Sequence, residues 1–401
     1  MPMAFVKNDR ESASTQHLAV FGESGSGKTV LLSSFYGHMT EPRTIDAMAY
    51  RVTAKDASQG TSLRQNYLGM RDSDRAPAAT RFQNTSYEFA ISIDQPAAPE
   101  DNKVPPGKQM SLIWLDYPGE WLEETPATPK EKRRQAETLK ALMGSDVALL
   151  LIDADRLGSD TDTQASYLKS VLGNYRDSIQ RIRNDLTPGG ERLEFFPRVW
   201  VLTLSKADLV PDLTVTQFAD LVTLHAGDEV NQLRSDISEL VEGGAVALGE
   251  DYLRLSSAEF TPERIDTKET VGLDTIVPLA MLLPIQHFAR WEERKILPTA
   301  KARKALGQFK QLADDFNLRP KGLVKEALSS PALRWLPGWK QINKLNQIAT
   351  VFAVAAQLGS DQLNSLEKDA KAKRDYFHAA YLSLEATLAE AEERGVLQRK
   401  H

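Results

Sequence analysis

Eight consecutive residues, Gly22-Glu23-Ser24-Gly25-Ser26-Gly27-Lys28-Thr29, fit G-x-x-x-x-G-K-S/T without a gap. Each type has a chemical reason to stand there. Glycines let backbone N–H groups turn inward and cradle a phosphate, and the following helix N-terminus adds partial positive charge. Lys28 is placed to bridge β- and γ-phosphate oxygens, and the Thr29 hydroxyl to ligate Mg2+. Gly22, Ser24, Gly25, Ser26 and Gly27 are the binding loop around them.

Three further segments follow in an order that matters. Leu112-Ile113-Trp114-Leu115-Asp116-Tyr117-Pro118-Gly119 is an apolar run ending in D-x-x-G. There Asp116 would hold Mg2+ through water, and the Gly119 N–H would sense the γ-phosphate. Neither a glutamate directly after that aspartate nor an L-S-G-G-Q segment is present, which separates the chain from transporter ATPases. Ser205-Lys206-Ala207-Asp208 approximates the N/T-K-x-D sequence that reads guanine. Its aspartate accepts from N1–H and the exocyclic amine, while its lysine stem lies along the base. Ser256-Ser257-Ala258-Glu259 approximates an S-A-K loop, which assigns Ser257 and Ala258 to the guanine O6 edge, with Glu259 in place of the lysine. Thr80 is the choice for a threonine closing over Mg2+ and the γ-phosphate, and Thr85 reads as a strand-start residue.

The elements that must position these residues are short apolar runs alternating with helical patterns. Strands are expected at His17–Phe21, Tyr87–Ile93, Met110–Leu115, Asp146–Ile152, Arg198–Leu204 and Tyr252–Leu255. Helices are expected at Lys28–His38, Lys130–Met143, Thr163–Asn184 and Val215–Val241. Asp94–Gln109 carries four prolines and suits a hairpin, which makes Tyr87–Ile93 antiparallel to its neighbour. The fold class is therefore α/β, a P-loop NTPase with a mostly parallel sheet, helices on both faces and one antiparallel strand. Tyr50–Ala79 reads as a polar loop, an enlargement spanning about residues 40–80. Strand signals end near residue 296, so residues 1–296 are expected as a G-domain and 297–401 as an all-α extension.

With those motifs placed, the chain resembles a GTPase of the translation-factor and Ras-like (TRAFAC) class. Asp116-Tyr117-Pro118-Gly119-Glu120-Trp121 resembles the D-Y-P-G-E-W segment of the YcjX-like family of bacterial, stress-associated P-loop GTP-binding proteins. Ala-Thr-Arg around Thr80 and Lys206-Ala207-Asp208 are similar to that family's pattern as well. The resemblance implies GTP and GDP as ligands, Mg2+ as cofactor and slow hydrolysis by a regulatory or stress-linked switch. An NTP-binding scaffold and an ATP-dependent mechanical or defence NTPase are the alternatives. One position departs from Ras-like proteins: Glu120 stands where they carry a water-orienting glutamine. It reads as a general base, a slow stand-in, or a structural residue paired with Arg133 or Arg134. Lys28, Thr80, Gly119 and Glu120 form the expected catalytic set. Arg81 is a candidate charge-neutralising residue in cis, set against a solvated loop arginine.

Composition bounds the rest. The chain has 401 residues, 49 Lys+Arg, 55 Asp+Glu, a formal charge of −6 and no cysteine, which excludes disulfides, thiolate metal sites and cysteine nucleophiles. Residues 301–345 hold ten Lys or Arg against three acidic residues, together with Trp335 and Trp339. A helical subdomain with a solvated basic face is the expectation there; contact with an anionic membrane or nucleic acid is the sharper alternative. A protein effector or a second copy is expected to use the helical end, where Lys368–Gln398 reads as an amphipathic helix that pairs with a partner or folds back. The polar N-terminus and the lack of an apolar run of about 18 residues point to a cytoplasmic protein. The six histidines share no metal-ligand spacing.

Overall fold

Strands that are apolar at nearly every position, as in Val147–Asp153, must be covered on both faces, and that is the signature of a parallel sheet. In the computed structural model eight strands form this sheet: β1 (Thr15–Phe21), β2 (Tyr50–Ala54), β3 (Thr85–Ile93), β4 (Met110–Asp116), β5 (Val147–Asp153), β6 (Arg198–Ser205), β7 (Val246–Arg254) and β10 (Leu397–Gln398). Their order is β10-β7-β6-β5-β1-β4-β3-β2. The described residues are 15–48, 50–77, 85–93, 110–116, 128–181, 183–187, 190, 192, 198–241, 246–261, 264–293 and 383–400. Neighbours from β7 through β4 pair in parallel, and β3 runs antiparallel to β4, in the sense the proline-rich connection implies.

Alternate residues of β1 feed two cores. Leu18 and Val20 join a cluster with α1 (Lys28–Met39) and α7 (Ile276–Glu293), whereas Ala19 and Phe21 join one with α5 (Thr161–Arg181) and α6 (Val215–Leu240). Phe35 of α1 meets Phe89 edge-on with ring centroids 5.9 Å apart and lies 5.2 Å from Trp114. These contacts press α1, and the loop before it, onto β3 and β4. A further helix, α4 (Pro129–Met143), follows the D-x-x-G region in the chain.

The stretch read as a polar loop is largely structured. After α2 (Pro42–Ala47), β2 pairs antiparallel with β3, and α3 (Ala57–Ser73) packs on α1. Tyr50 and Val52 point inward while Arg51 and Thr53 are exposed, as in an edge strand. Asp56 caps α3 by accepting from the N–H groups of Ser58 and Gln59. Only Gly60, Leu63, Tyr67 and Met70 of α3 are buried, one thin stripe at helical spacing. The helices touch so closely that a Cβ on Gly37 would lie 2.0 Å from Tyr67 Cγ.

Much of the expected helical extension, including residues 301–345, lies outside the described residues. Its described end folds back. Residues 383–393 form α8, with Leu384, Leu388 and Ala391 buried in the first core, and the chain then adds β10 antiparallel to β7. The amphipathic helix expected to run to Gln398 thus stops at residue 393, because Gly395 takes a φ of 65° and the next residues join the sheet. Arg399 locks this end: its guanidinium, buried, reaches Glu385 at 3.0 Å and Glu392 at 2.8 Å. Among the described residues no helix is long and apolar enough to cross a membrane.

Candidate functional site

Parallel strands deliver their loops to one edge, and ligands of open α/β sheets bind outside the carboxyl ends of the strands. Here β1 hands over to Gly22–Gly27 and then α1. Gly22 is required by space, since a Cβ there would lie 2.2 Å from Ser26 Oγ and 3.0 Å from Leu151 Cβ. Gly25 and Gly27 are required by backbone shape, with φ values of 82° and 90°. The α1 N-terminus has no side-chain cap and no acidic residue in its first turn. Its dipole therefore adds partial positive charge at the loop, with no acidic residue of its own first turn to offset it.

Lys28 is buried, and its ammonium donates to the Gly22 and Glu23 carbonyls at 2.8 Å each, with Ser26 Oγ at 3.4 Å. The cation is thus held inside the concavity its own loop forms. Glu23, an unspecified position in the motif, is buried and takes part in a brace that sequence reasoning missed. Arg156 donates to its Oε2 at 2.8 Å and to the Ser24 carbonyl at 2.9 Å, and Asn174 donates to its Oε1 at 3.1 Å. Both partners lie more than 130 positions along the chain, so no local pattern announces them.

Asp116 ends β4 as a buried carboxylate, in register with Val20 of β1 on one side and Thr85 of β3 on the other. Thr85 opens β3, as its strand-start reading has it. Thr29 sits in the first turn of α1. A carboxylate and a hydroxyl are hard oxygen donors, the set Mg2+ takes when phosphates complete its shell, so these residues fit that cation. Among the described residues no group of three or more His, Cys, Asp or Glu is arranged to hold a metal without such help. Thr80, Arg81, Gly119, Glu120 and Trp121 lie outside the described residues. Arg133, a suggested partner of Glu120, pairs with Glu137 at 3.1 Å.

The third loop follows β6. Lys206 takes a left-handed conformation with φ 54°, uncommon for a residue with a side chain, and its ammonium pairs with Asp153 Oδ2 at 2.7 Å. Asp153 ends β5, three residues before Arg156, so one strand end holds both the phosphate loop and this loop. Tyr167 supports the strand end by accepting the Asp153 N–H at 2.9 Å, and burial pushes its phenol pKa up, which keeps it neutral.

Asp208 lies in the short 3-10 turn Ala207–Leu209. Its Oδ1 is 2.6 Å from Ser256 Oγ and its Oδ2 accepts the Phe260 N–H at 3.2 Å. A carboxylate offers about four lone-pair positions. Two are thus engaged by these donors, and among the described residues no further hydrogen-bond donor occupies the other two. Ser257 and Ala258 occupy the same turn, Ala258 fully buried, with its carbonyl 2.7 Å from Ser256 Oγ. The serine that holds Asp208 is therefore Ser256, a role that the motif reading, which assigned Ser257 and Ala258 to the guanine O6 edge, did not give to any serine. It directly follows Leu255, whose backbone is stitched to Ala207 and Leu204, and that register brings it to Asp208.

A family model described as Double-GTPase 2 matches residues 16–281, and this accords with the resemblance to YcjX-like P-loop GTPases drawn from the motifs. The search among curated proteins gave no match. Among solved structures, the signal recognition particle receptor SRb-GTP/SRX complex from Chaetomium thermophilum is similar over 62% of this chain and 93% of that chain, at 17% identity and a TM-score of 0.34.

Proposed function

The chain belongs to the Double-GTPase 2 family, and from that premise we propose that it binds GTP with Mg2+, hydrolyses it slowly to GDP and phosphate, and uses the γ-phosphate as a regulatory switch. The observation that carries the base assignment is Asp208. Its carboxylate is oriented by one donor on each oxygen and keeps two acceptor positions, a match for the two adjacent N–H donors of guanine. Adenine cannot present that pair in the same geometry.

The phosphates belong to the loop at Gly22–Thr29. Lys28 exchanges its carbonyl partners for β- and γ-phosphate oxygens, and the uncapped α1 N-terminus supplies further N–H donors. Thr29 and Asp116 are the residues that would hold Mg2+, Asp116 through water. Bound Mg2+ supplies positive charge at the β- and γ-phosphate oxygens. In the reaction a water oxygen attacks the γ-phosphorus, the bond to the bridging oxygen breaks, and GDP leaves with the electron pair. Glu120 is placed by the motif to take a hydrogen bond or proton from that water. Its own negative charge repels the anionic γ-phosphate, which is the reason for assigning slow turnover. Thr80 and the Gly119 N–H would read the γ-phosphate, so that its loss releases both segments.

The test is direct: compare mant-GDP with mant-ADP binding, then follow phosphate release from GTP. Preference for guanine, with Asp208→Asn converted to xanthine nucleotides, supports the reading. Equal or better adenine binding refutes it, and guanine binding without phosphate release leaves a nucleotide-dependent scaffold.

A further inference from the structure

Three large apolar residues stand exposed among the described residues, Leu209, Leu224 and Phe260, and the backbones of two of them adjoin Asp208. Leu209 follows Asp208 directly, and the Phe260 N–H bonds to Asp208 Oδ2. Phe260 lies on β8 (Glu259–Phe260), which pairs antiparallel with β9 (Ile265–Asp266).

A two-stranded ribbon this short has no core and is marginal in water by itself. Here it is fastened from both sides through a single cross-strand pair, Phe260 and Ile265. The Phe260 N–H holds Asp208, and the Ile265 N–H donates to Asp74 Oδ1 at 2.7 Å. Asp74 is the C-cap of α3, itself held in a left-handed conformation with φ 48°. The ribbon is therefore a strut between the end of α3 and the Asp208 turn. It fixes the backbone of Phe260, a residue 37% exposed, against the Asp208 carboxylate. A planar heterocycle with two adjacent N–H donors is the ligand that uses both features at once, its edge on the carboxylate and its face on the ring.

We propose that Phe260 is a base-contacting residue. It packs on the purine that Asp208 reads, opposite the Lys206 stem, and so contributes to nucleotide affinity from outside the phosphate loop. This rests on the guanine-nucleotide reading above. Aromatic stacking is sequence-tolerant, because every base has a π-face. Phe260 therefore strengthens binding of any purine that enters, and Asp208 selects which one.

Three variants and a base-free probe test it. Phe260→Ala should weaken GDP binding by about 5- to 160-fold, the range for loss of one base–aromatic contact. Inorganic tripolyphosphate, which competes at the phosphate loop and has no base, should compete equally well against wild type and variant. Phe260→Tyr should restore GDP affinity. Phe260→Trp should gain an emission change on GDP addition that tripolyphosphate does not produce. The proposal is overturned if Phe260→Ala binds GDP within twofold of wild type, or if GDP and tripolyphosphate weaken in parallel, which would mark damage to the fold. The two readings fail separately. A wild type that prefers ADP sinks the guanine assignment, whereas intact guanine preference and an Asp208→Asn switch to xanthine, with Phe260→Ala silent, sink Phe260 alone.

Discussion

Removing one hydroxyl, Ser256→Ala, probes whether the Asp208 carboxylate is held by design. Ser256 Oγ lies 2.6 Å from Asp208 Oδ1 and 2.7 Å from the Ala258 carbonyl, but the hydroxyl has one proton. With an anion and a neutral carbonyl competing, the proton goes to the anion, since hydrogen bonds to charged groups are worth about 1.5–3 kcal/mol against about 1 for neutral ones. The variant keeps the Phe260 N–H on Oδ2, so the carboxylate stays in the site with half its tether. Asp208 is only half-buried, and water can replace the lost donor, which limits the folding cost to about 1 kcal/mol. Binding then has to immobilise a side chain that was fixed beforehand, an expense of about 0.5–1.5 kcal/mol, or roughly 2- to 13-fold in Kd. GDP titration by calorimetry, with a thermal melt of each protein, separates the two effects. Affinity should fall in that range while the preference for guanine over xanthine is kept, because the carboxylate itself is unchanged. Unchanged GDP affinity with a lowered Tm would refute the reasoning and reduce Ser256 to a turn residue.

Two predictions concern the frame rather than the ligand. Arg399→Met leaves Glu385 and Glu392 facing each other without their shared cation; breaking such a pair costs about 3–5 kcal/mol when fully buried, and about 2–4 is expected here because both carboxylates keep some water. Differential scanning calorimetry should show that loss, and an unmoved melt would mean the tail is held by its apolar residues alone. His38 has its pKa lowered by burial, against the opposing pull of Glu41 and Asp274, so its proton favours the unfolded chain. Its contribution to stability is present above the ordinary pKa of 6.5 and is lost as pH falls below it toward the folded value, so His38→Gln should flatten the acid limb of a Tm–pH curve relative to wild type. Parallel acid limbs would rule out that role.

The phosphate loop was legible because the residues the motif specifies answer to chemistry within eight positions: Gly25 and Gly27 to positive φ, Gly22 to Ser26, Lys28 to its own carbonyls. Asp116 was legible for the same reason, as the polar end of an apolar strand. Helix α3 was not, since four buried residues in seventeen leave a sequence that looks like surface throughout. Nor was β10, two residues long, whose place depends on pairing with a distant edge. The bonds that shape the candidate site, Glu23 to Arg156 and Asp208 to Ser256, join positions 133 and 48 apart. No window along the chain contains both partners, and only the stacking of strand ends brings them together.

The pairing of β10 with β7 also has a kinetic side. Leu397 meets Leu253 across about 140 intervening positions, a much longer closure than the neighbouring β6–β7 pair requires. Loop entropy grows only logarithmically, about 0.6 kcal/mol for each doubling, so the native state bears that span at little expense. The search for the contact is another matter, because distant pairings form late. During refolding β7 should therefore be an open edge for a time, with its hydrogen-bonding groups available to another chain. Dilution during renaturation ought to raise the yield of monomer for this reason, since its own final strand competes best when neighbours are few.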